Sequence, residues 1–382
     1  MTIYLDNAAT SWPKDPAVLT AMQQYLETTG GNPGRSGHSL SVSAARIVFE
    51  ARDSLARLFN ASSPERIIFT KNGTEALNMI LFGVLGAGDH VITSSMEHNA
   101  VMRPLRHLEA LATRLSVVRC DATGQLDPAD IKKAITPKTK LIIMTHASNV
   151  TGTILPVTAV GAIAREAGVP FAVDAAQTAG CLPLDTQAAC IDFLAFTGHK
   201  GLGGPQGTGG LVLGPDADLP PLLHGGTGSM SDFEYQPGFL PDKLESGTLN
   251  AIGIAGLGAA VRELEKSGVA QAAAHKQHLV RAFCRELAVL PGVKVFGPAD
   301  PAFNAGVVSV SLAGLVCSEV GLALDKVFGI LTRTGLHCAP AAHKTTGSFP
   351  QGTVRFSFGR FNTAAEVALA ASALARISLE TE

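Results

Sequence analysis

The sequence predicts an α/β protein: a large domain with a seven-stranded, mostly parallel sheet, plus a smaller C-terminal α+β domain. Three observations predict it. At 382 residues the chain exceeds the usual size of one hydrophobic core. From about 65 to 215, seven short β-branched runs alternate with helical patterns. From about 270 onward, helix and strand patterns alternate again after a long intervening helix.

In chain order, 41–60 carries apolar residues at helical spacing and opens as a long amphipathic helix. Strand candidates follow at 66–70, 90–94, 115–119, 141–145, 171–174, 193–196 and 210–213. Helical patterns lie between several of them, at 75–85, 100–111 and 157–167. The Gly-rich stretch 223–250 reads as a long functional loop, and the helix pattern at 252–267 bridges onward. The second domain holds helices at 271–290, 318–328 and 364–377, with strands at 307–312 and 352–358. We therefore expect a large domain over 15–255 and a small one made of 1–14 with 256–382.

Composition narrows the function classes. Hydrophobic residues are 46% and charged residues 16%, which suits large buried cores. Net charge is −2, and no Lys/Arg block is present, so neither nucleic acid nor a membrane is an expected partner. The first residues lack the basic and apolar regions of a secretion signal. Cys120, Cys181, Cys190, Cys284, Cys317 and Cys338 are scattered without a CxxC, which points to reduced thiols, a cytoplasmic location and no metal site.

Chemistry concentrates at two strand ends. Asp174 closes the apolar run 169–174, and Lys200 follows the run 193–196 within Thr197-Gly-His-Lys200. A Lys amine and an Asp carboxylate so placed are the pair that pyridoxal phosphate requires. The amine forms a Schiff base with the aldehyde, and the carboxylate keeps the pyridinium nitrogen protonated. Ligands in such sheets bind beyond the carboxyl ends of the strands. The strand-to-helix turn at Gly73 and Thr74 offers backbone N–H groups and a hydroxyl to a phosphate, although Thr74 as a simple helix cap fits too. Thr197 and His199 could add donors. His98 could stack on a flat ring and relay protons. Asn149 and Gln177 could donate to the cofactor's phenolic oxygen.

The ordered set Asp6-Asn-Ala-Ala9, Asn72-Gly-Thr-Glu75, Glu97-His98, Ser148-Asn-Val150, Asp174-Ala-Ala-Gln177 and Thr197-Gly-His-Lys200 resembles fold-type I pyridoxal phosphate enzymes. Within them the chain resembles the class V aminotransferase-like proteins, and specifically the cysteine desulfurase/selenocysteine lyase family. The run Arg333-Thr-Gly-Leu-His-Cys-Ala-Pro340 is similar to the short cysteine loop of the group II members, with Leu336 in place of the first of two histidines. The segment 341–347 also departs from the better-known members.

The resemblance implies a homodimer that converts L-cysteine to L-alanine and carries the sulfur as a persulfide on Cys338. A sulfur-acceptor protein would receive it. Lys200 and His98 are then catalytic with Cys338, whose loop neighbours Arg333, His337 and His343 suit a reactive thiol. Arg355, with Asn149 and His38, is expected to bind substrate; a guanidinium suits an α-carboxylate. Gly247 and Thr248 would reach the partner subunit's cofactor phosphate. A selenocysteine lyase, or a class V aminotransferase acting on a small amino acid, is the alternative.

Overall fold

The protein is described here from a computed structural model covering residues 2–34 and 37–379. The chain begins with β1 (Ile3–Tyr4), α1 (Pro16–Gln24) and α2 (Ser39–Phe59). The large sheet unit then runs β2 (Ile67–Thr70), α3 (Gly73–Val84), β3 (His90–Ser94), α4 (Asn99–Ala110), β4 (Arg114–Val118), α5 (Pro128–Ala134), β5 (Thr139–Thr145), α6 (Val157–Ala167), β6 (Phe171–Asp174), β7 (Phe193–Thr197) and β8 (Gly209–Leu213). Its seven strands take the order β2-β8-β7-β6-β5-β3-β4. Only β8 runs against its neighbours. The other contacts are parallel, as the alternating pattern predicts.

Strands β3 and β5 to β8 are buried along almost their whole length, because helices cover both faces of the sheet. Thr145 pairs with Asp174, and Asp174 with Ala195, so the carboxyl ends of β5, β6 and β7 share one level. A crevice opens there.

The remaining elements are α7 (Ala251–Ser267), α8 (Val269–Leu287), β9 (Val293–Phe296), β10 (Val307–Leu312), α9 (Cys317–Phe328), β11 (Ile330–Leu331), β12 (Arg333–Gly335), α10 (Pro340–Thr346), β13 (Thr353–Ser357) and α11 (Ala364–Leu379). An antiparallel sheet of order β12-β13-β10-β9 carries α8, α9 and α11 around a second core. Ile3 and Leu5 belong to that core, and β1 pairs with β11.

Helices α7 and α8 contribute to different cores. Ile254, Leu257, Val261 and Leu264 of α7 join the large core, whereas Leu279, Val280 and Phe283 of α8 join the small one. Gly268, with a φ of +81°, ends α7, and Val269 and Ala272 at the start of α8 still pack against the large core. Glycines make the earlier packing possible: a Cβ on Gly258 would meet Ala51 Cβ of α2 at 2.8 Å. Helix α7 thus lies close on α2.

Sequence patterning does not reveal α1, α5, β9 or β12. The seven residues of α5 are too few for a periodic signal. Strand β9 lies at a sheet edge with Lys294 and Val295 exposed, so alternation is absent. Among the described residues no helix is long and apolar enough to cross a membrane.

One buried ion pair braces the crevice from below. Arg52 of α2 meets Glu245 through two 2.8 Å bonds, its guanidinium stacks 4.7 Å over the Phe69 ring, and Glu245 also accepts from Phe69 N–H at 2.6 Å. Glu245 precedes the 247–248 loop, so the pair fastens that loop to β2. Arg52→Ala should cost about 3–5 kcal/mol in denaturant unfolding by stranding a buried carboxylate. The double variant Arg52→Met/Glu245→Leu should lose distinctly less.

Candidate active site

The crevice holds a cavity lined by Gly73, Thr74, His98, Asn149, Asp174, Gln177, Thr197, His199 and Lys200. The structure therefore brings together residues that the sequence separates by more than a hundred positions. Each arrives from a strand end. Asp174 terminates β6, Thr197 terminates β7 with Lys200 three residues on, and His98 caps α4 just after β3. Gly73 opens α3, with Asn72 Oδ1 accepting from Glu75 N–H at 3.0 Å as the cap. Asn72, and not Thr74, is thus the capping residue. That leaves the Thr74 hydroxyl outside the cap.

Burial sets the electrostatics. Lys200 is pushed down to about 8, chiefly by desolvation, with the Asp174 charge opposing the fall. The same burial raises Asp174 above the usual carboxylate range. His98 is lowered to about 4 by burial and then by the Lys200 charge, and His199 also to about 4 for the same reasons. Both imidazoles are neutral near pH 7. Nδ1 of His98 accepts from Ala100 N–H at 3.0 Å, so its proton sits on Nε2. Behind it, Glu97 is fully buried and raised to about 8 by desolvation, with Oε1 accepting from Thr145 N–H at 3.0 Å. Glu97 ties the end of β5 to the turn after β3.

The cavity fits pyridoxal phosphate. Thr197 Oγ1 and His199 Nδ1 are buried without hydrogen-bond partners. Such orphans in a native site await a ligand. They lie with Thr74 and the positive end of α3, which suits a phosphate. Among the described residues the Asp174 carboxylate is bonded only to Ala176 N–H, at 2.9 Å, and has no cation in contact; a pyridinium N–H would supply one. Gln177 donates to Ala8 O at 3.2 Å, and Asn149 spends one amide proton on His337 O at 2.6 Å. Each retains a second proton.

Cys338 is exposed at the tip of a loop between β12 and α10. His337 and Cys338 both hold positive φ, at 49° and 59°. Left-handed conformers of such residues cost about 1–2 kcal/mol each, so the loop must be held. Asn99 N–H donates to Cys338 O at 2.8 Å and Asn149 to His337 O. His337 Nε2 meets Thr353 Oγ1 at 2.9 Å, Thr353 donates to Ser309 at 3.1 Å, and Ser309 to Val150 O at 2.6 Å. Arg333 Nη2 lies 3.3 Å from Cys338 Sγ. Leu336 supplies no imidazole, but His343 of α10 sets its ring 5.4 Å from that of His337.

Arg355 is fully buried on β13. Its Nη2 bonds Asp6 at 2.6 Å and its Nη1 bonds Asn149 O at 3.0 Å, leaving Nε unpartnered. It stands behind the cavity wall and lends its charge to Lys200 and His98. Two groups of expected residues fall elsewhere. His38 is an exposed cap of α2, its Nδ1 accepting from Ser41 N–H at 3.2 Å, and it does not line the Lys200 cavity. Thr248 lines a different cavity, with Lys71 and Glu75, and Gly247 adjoins it at a φ of +93°.

Sequence reasoning left Asp6 and Glu97 without roles, although both lie in the runs that carry the resemblance. Asn99, Thr353 and Ser309 had no signal at all, since their partners are far away in sequence.

The family described as aminotransferase class-V matches residues 3–369. A probable cysteine desulfurase of Methanothermobacter thermautotrophicus is 36% identical over 98% of this chain and 94% of its own length. The apo structure of a cysteine desulfurase from Thermococcus onnurineus superposes with a TM-score of 0.93 at 35% identity, covering 99% of this chain and 95% of the other. The cysteine desulfurase CsdA of Escherichia coli, solved as an S-sulfonic acid, gives 0.89 at 31% identity over 100% of this chain and 95% of its own. A match over nearly the whole length, on a crevice whose strand ends bring Lys200 and Asp174 into one cavity, makes the chain a member of the class V aminotransferase family.

Proposed function

We propose that the protein is a pyridoxal phosphate-dependent cysteine desulfurase that moves the sulfur of L-cysteine onto Cys338. The observation that carries this is the position of Cys338. It is exposed on a loop fastened to Asn149, a lining residue of the Lys200 cavity, and it is near enough for its charge to act on Lys200. A transaminase has no use for a thiol held there.

When bound, the cofactor supplies an electron sink that eases loss of the substrate's Cα proton. The Asp174 carboxylate holds positive charge at the ring end, while Thr74, Thr197 and the head of α3 hold the phosphate. His98, which lines the same cavity, would face the bound cofactor and could donate from Nε2. Its low affinity for a second proton makes it a fixed donor and not a carrier of imidazolium. Lys200 Nζ takes the Cα proton, because burial leaves its amine largely neutral just above pH 8. Arg355, held behind the cavity wall by Asp6 and Asn149, supplies positive charge that favours a bound α-carboxylate. Cys338 Sγ then gives up its proton and attacks the substrate sulfur. The S–S bond forms as the Cβ–S bond breaks; those electrons stay on Cβ, which takes a proton to become the methyl group of alanine.

Thr248 lies outside the Lys200 cavity of its own chain, which favours a homodimer in which Gly247 and Thr248 complete the partner's phosphate site.

Cofactor-loaded protein given L-cysteine and dithiothreitol, without a keto acid, should release alanine and sulfide in equal amounts. Cys338→Ala should lower that rate by roughly 100-fold or more while leaving the bound-cofactor absorbance in place. Undiminished desulfuration would return Cys338 to a structural role. Cofactor-free protein mixed with pyridoxal phosphate should develop its visible absorbance faster as pH rises through about 8, where Lys200 loses its proton, and then level off. An ordinary lysine would keep accelerating beyond pH 10, toward its usual value of about 10.4. Lys200→Ala should abolish the signal.

A further inference from the structure

Beside the cysteine loop lies a second, larger cleft of about 670 Å³, outside the Lys200 cavity. Its walls come from three elements: α4 with Arg103 and Arg106, the segment of β4 that leads into Arg119, and α10 with Lys344. Strand β4 is the edge of the seven-stranded sheet. Among the described residues no carboxylate lines the cleft. A chain of net charge −2 does not gather four cations there through composition alone. Arg106 pairs with Glu109 at 2.6 Å, and Lys344 lies 5.0 Å over the Phe349 ring. Arg103 and Arg119 are exposed, with no ion-pair partner among the described residues. Met102 and Val117 add apolar surface to the lining, with Val117 38% exposed.

The position ties this cleft to the thiol. Asn99, a wall residue, donates its N–H to Cys338 O at 2.8 Å, and Pro340, another, lies two residues beyond Cys338. We propose that the cleft seats an acidic chain segment of the protein that takes sulfur from Cys338. This rests on the desulfurase reading above. A small anion needs donors converging on one point, whereas these cations are set on three elements around a wide opening. Several carboxylates on one chain, interspersed with apolar side chains, match both the charges and the apolar lining. A positive field at the mouth also speeds encounter with an acidic partner. The transfer itself needs no added oxidant. The partner's thiolate attacks the outer sulfur of the Cys338 persulfide, the S–S bond to Cys338 breaks, and Cys338 regains the proton that the partner's thiol released.

The probe is a short fluorescein-labelled peptide of alternating Glu and Leu, with a twin in which every Glu is Gln. Anisotropy is read against the cofactor-loaded protein. The Glu peptide should bind at least ~10-fold tighter than its twin, less so at high salt. Arg119→Glu/Lys344→Glu should remove that preference without changing alanine formation supported by dithiothreitol. Versions ending in Cys should accept labelled sulfur faster from the wild type when acidic, and equally slowly from the double variant. Equal binding of the twins, or unaltered binding to the double variant, overturns the proposal. So does complete displacement of the Glu peptide by inorganic phosphate at matched charge, which would mark a small-anion site. If the wild type makes no alanine from L-cysteine with dithiothreitol, the desulfurase reading fails and takes this proposal with it. Alanine formation without peptide preference overturns the docking surface alone.

Discussion

A guanidinium with no exposure to water is the constraint around which the two domains are arranged. Arg355 rises from β13 of the small domain, pairs with Asp6 from the N-terminal segment, and donates to Asn149 O at the end of the large sheet. A buried cation is tolerable only when its donors are met, because desolvation costs several kcal/mol per ion. That requirement makes three distant segments converge. Asn149 passes the constraint on, since its side-chain amide holds the His337 carbonyl and so the left-handed backbone that presents Cys338. The buried Arg355 guanidinium, the cavity-lining Asn149 and the Cys338 loop are in this way one connected hydrogen-bonded unit.

The cavity beside it follows the opposite logic. Lys200 and the two histidines are shifted toward neutrality by desolvation, and Asp174 is shifted the same way. Their charges are only partly compensated within the chain. These residues suit a ligand that carries both a positive ring nitrogen and a negative phosphate. Orphaned donors at Thr197 and His199 say the same in hydrogen-bond terms. The lowered Lys200 amine is partly neutral near pH 8, where an ordinary lysine stays charged.

Much of this was legible in the sequence, for a physical reason. Buried parallel strands read as short apolar runs, and the residue that ends such a run points into the crevice; Asp174 and the turn to Lys200 were located on that basis. The seven strands were located to within two residues at most ends, with β5 beginning two residues early at Thr139. The edge strand β9 and the three-residue β12 were not legible, because neither has an apolar face to repeat. His38 lies apart from the Lys200 cavity of its own chain. A histidine ahead of a helix reads as a ligand contact by resemblance, yet here it caps α2 locally, at the surface.

By itself the sequence determined which residue types end which strands, and therefore the α/β class and the Lys200 and Asp174 pair that lines the crevice. Local patterning suffices for that, since strand ends are defined by neighbours a few residues apart. Only the tertiary structure decided that α7 packs with the large core, that Arg355 is spent partly on Asp6, and that Asn149 grips the cysteine loop. Those outcomes turn on close approach between segments hundreds of residues apart. Glycines that let helices touch, and buried polar groups that must find partners, decide such contacts, and their partners leave no trace in the neighbouring sequence.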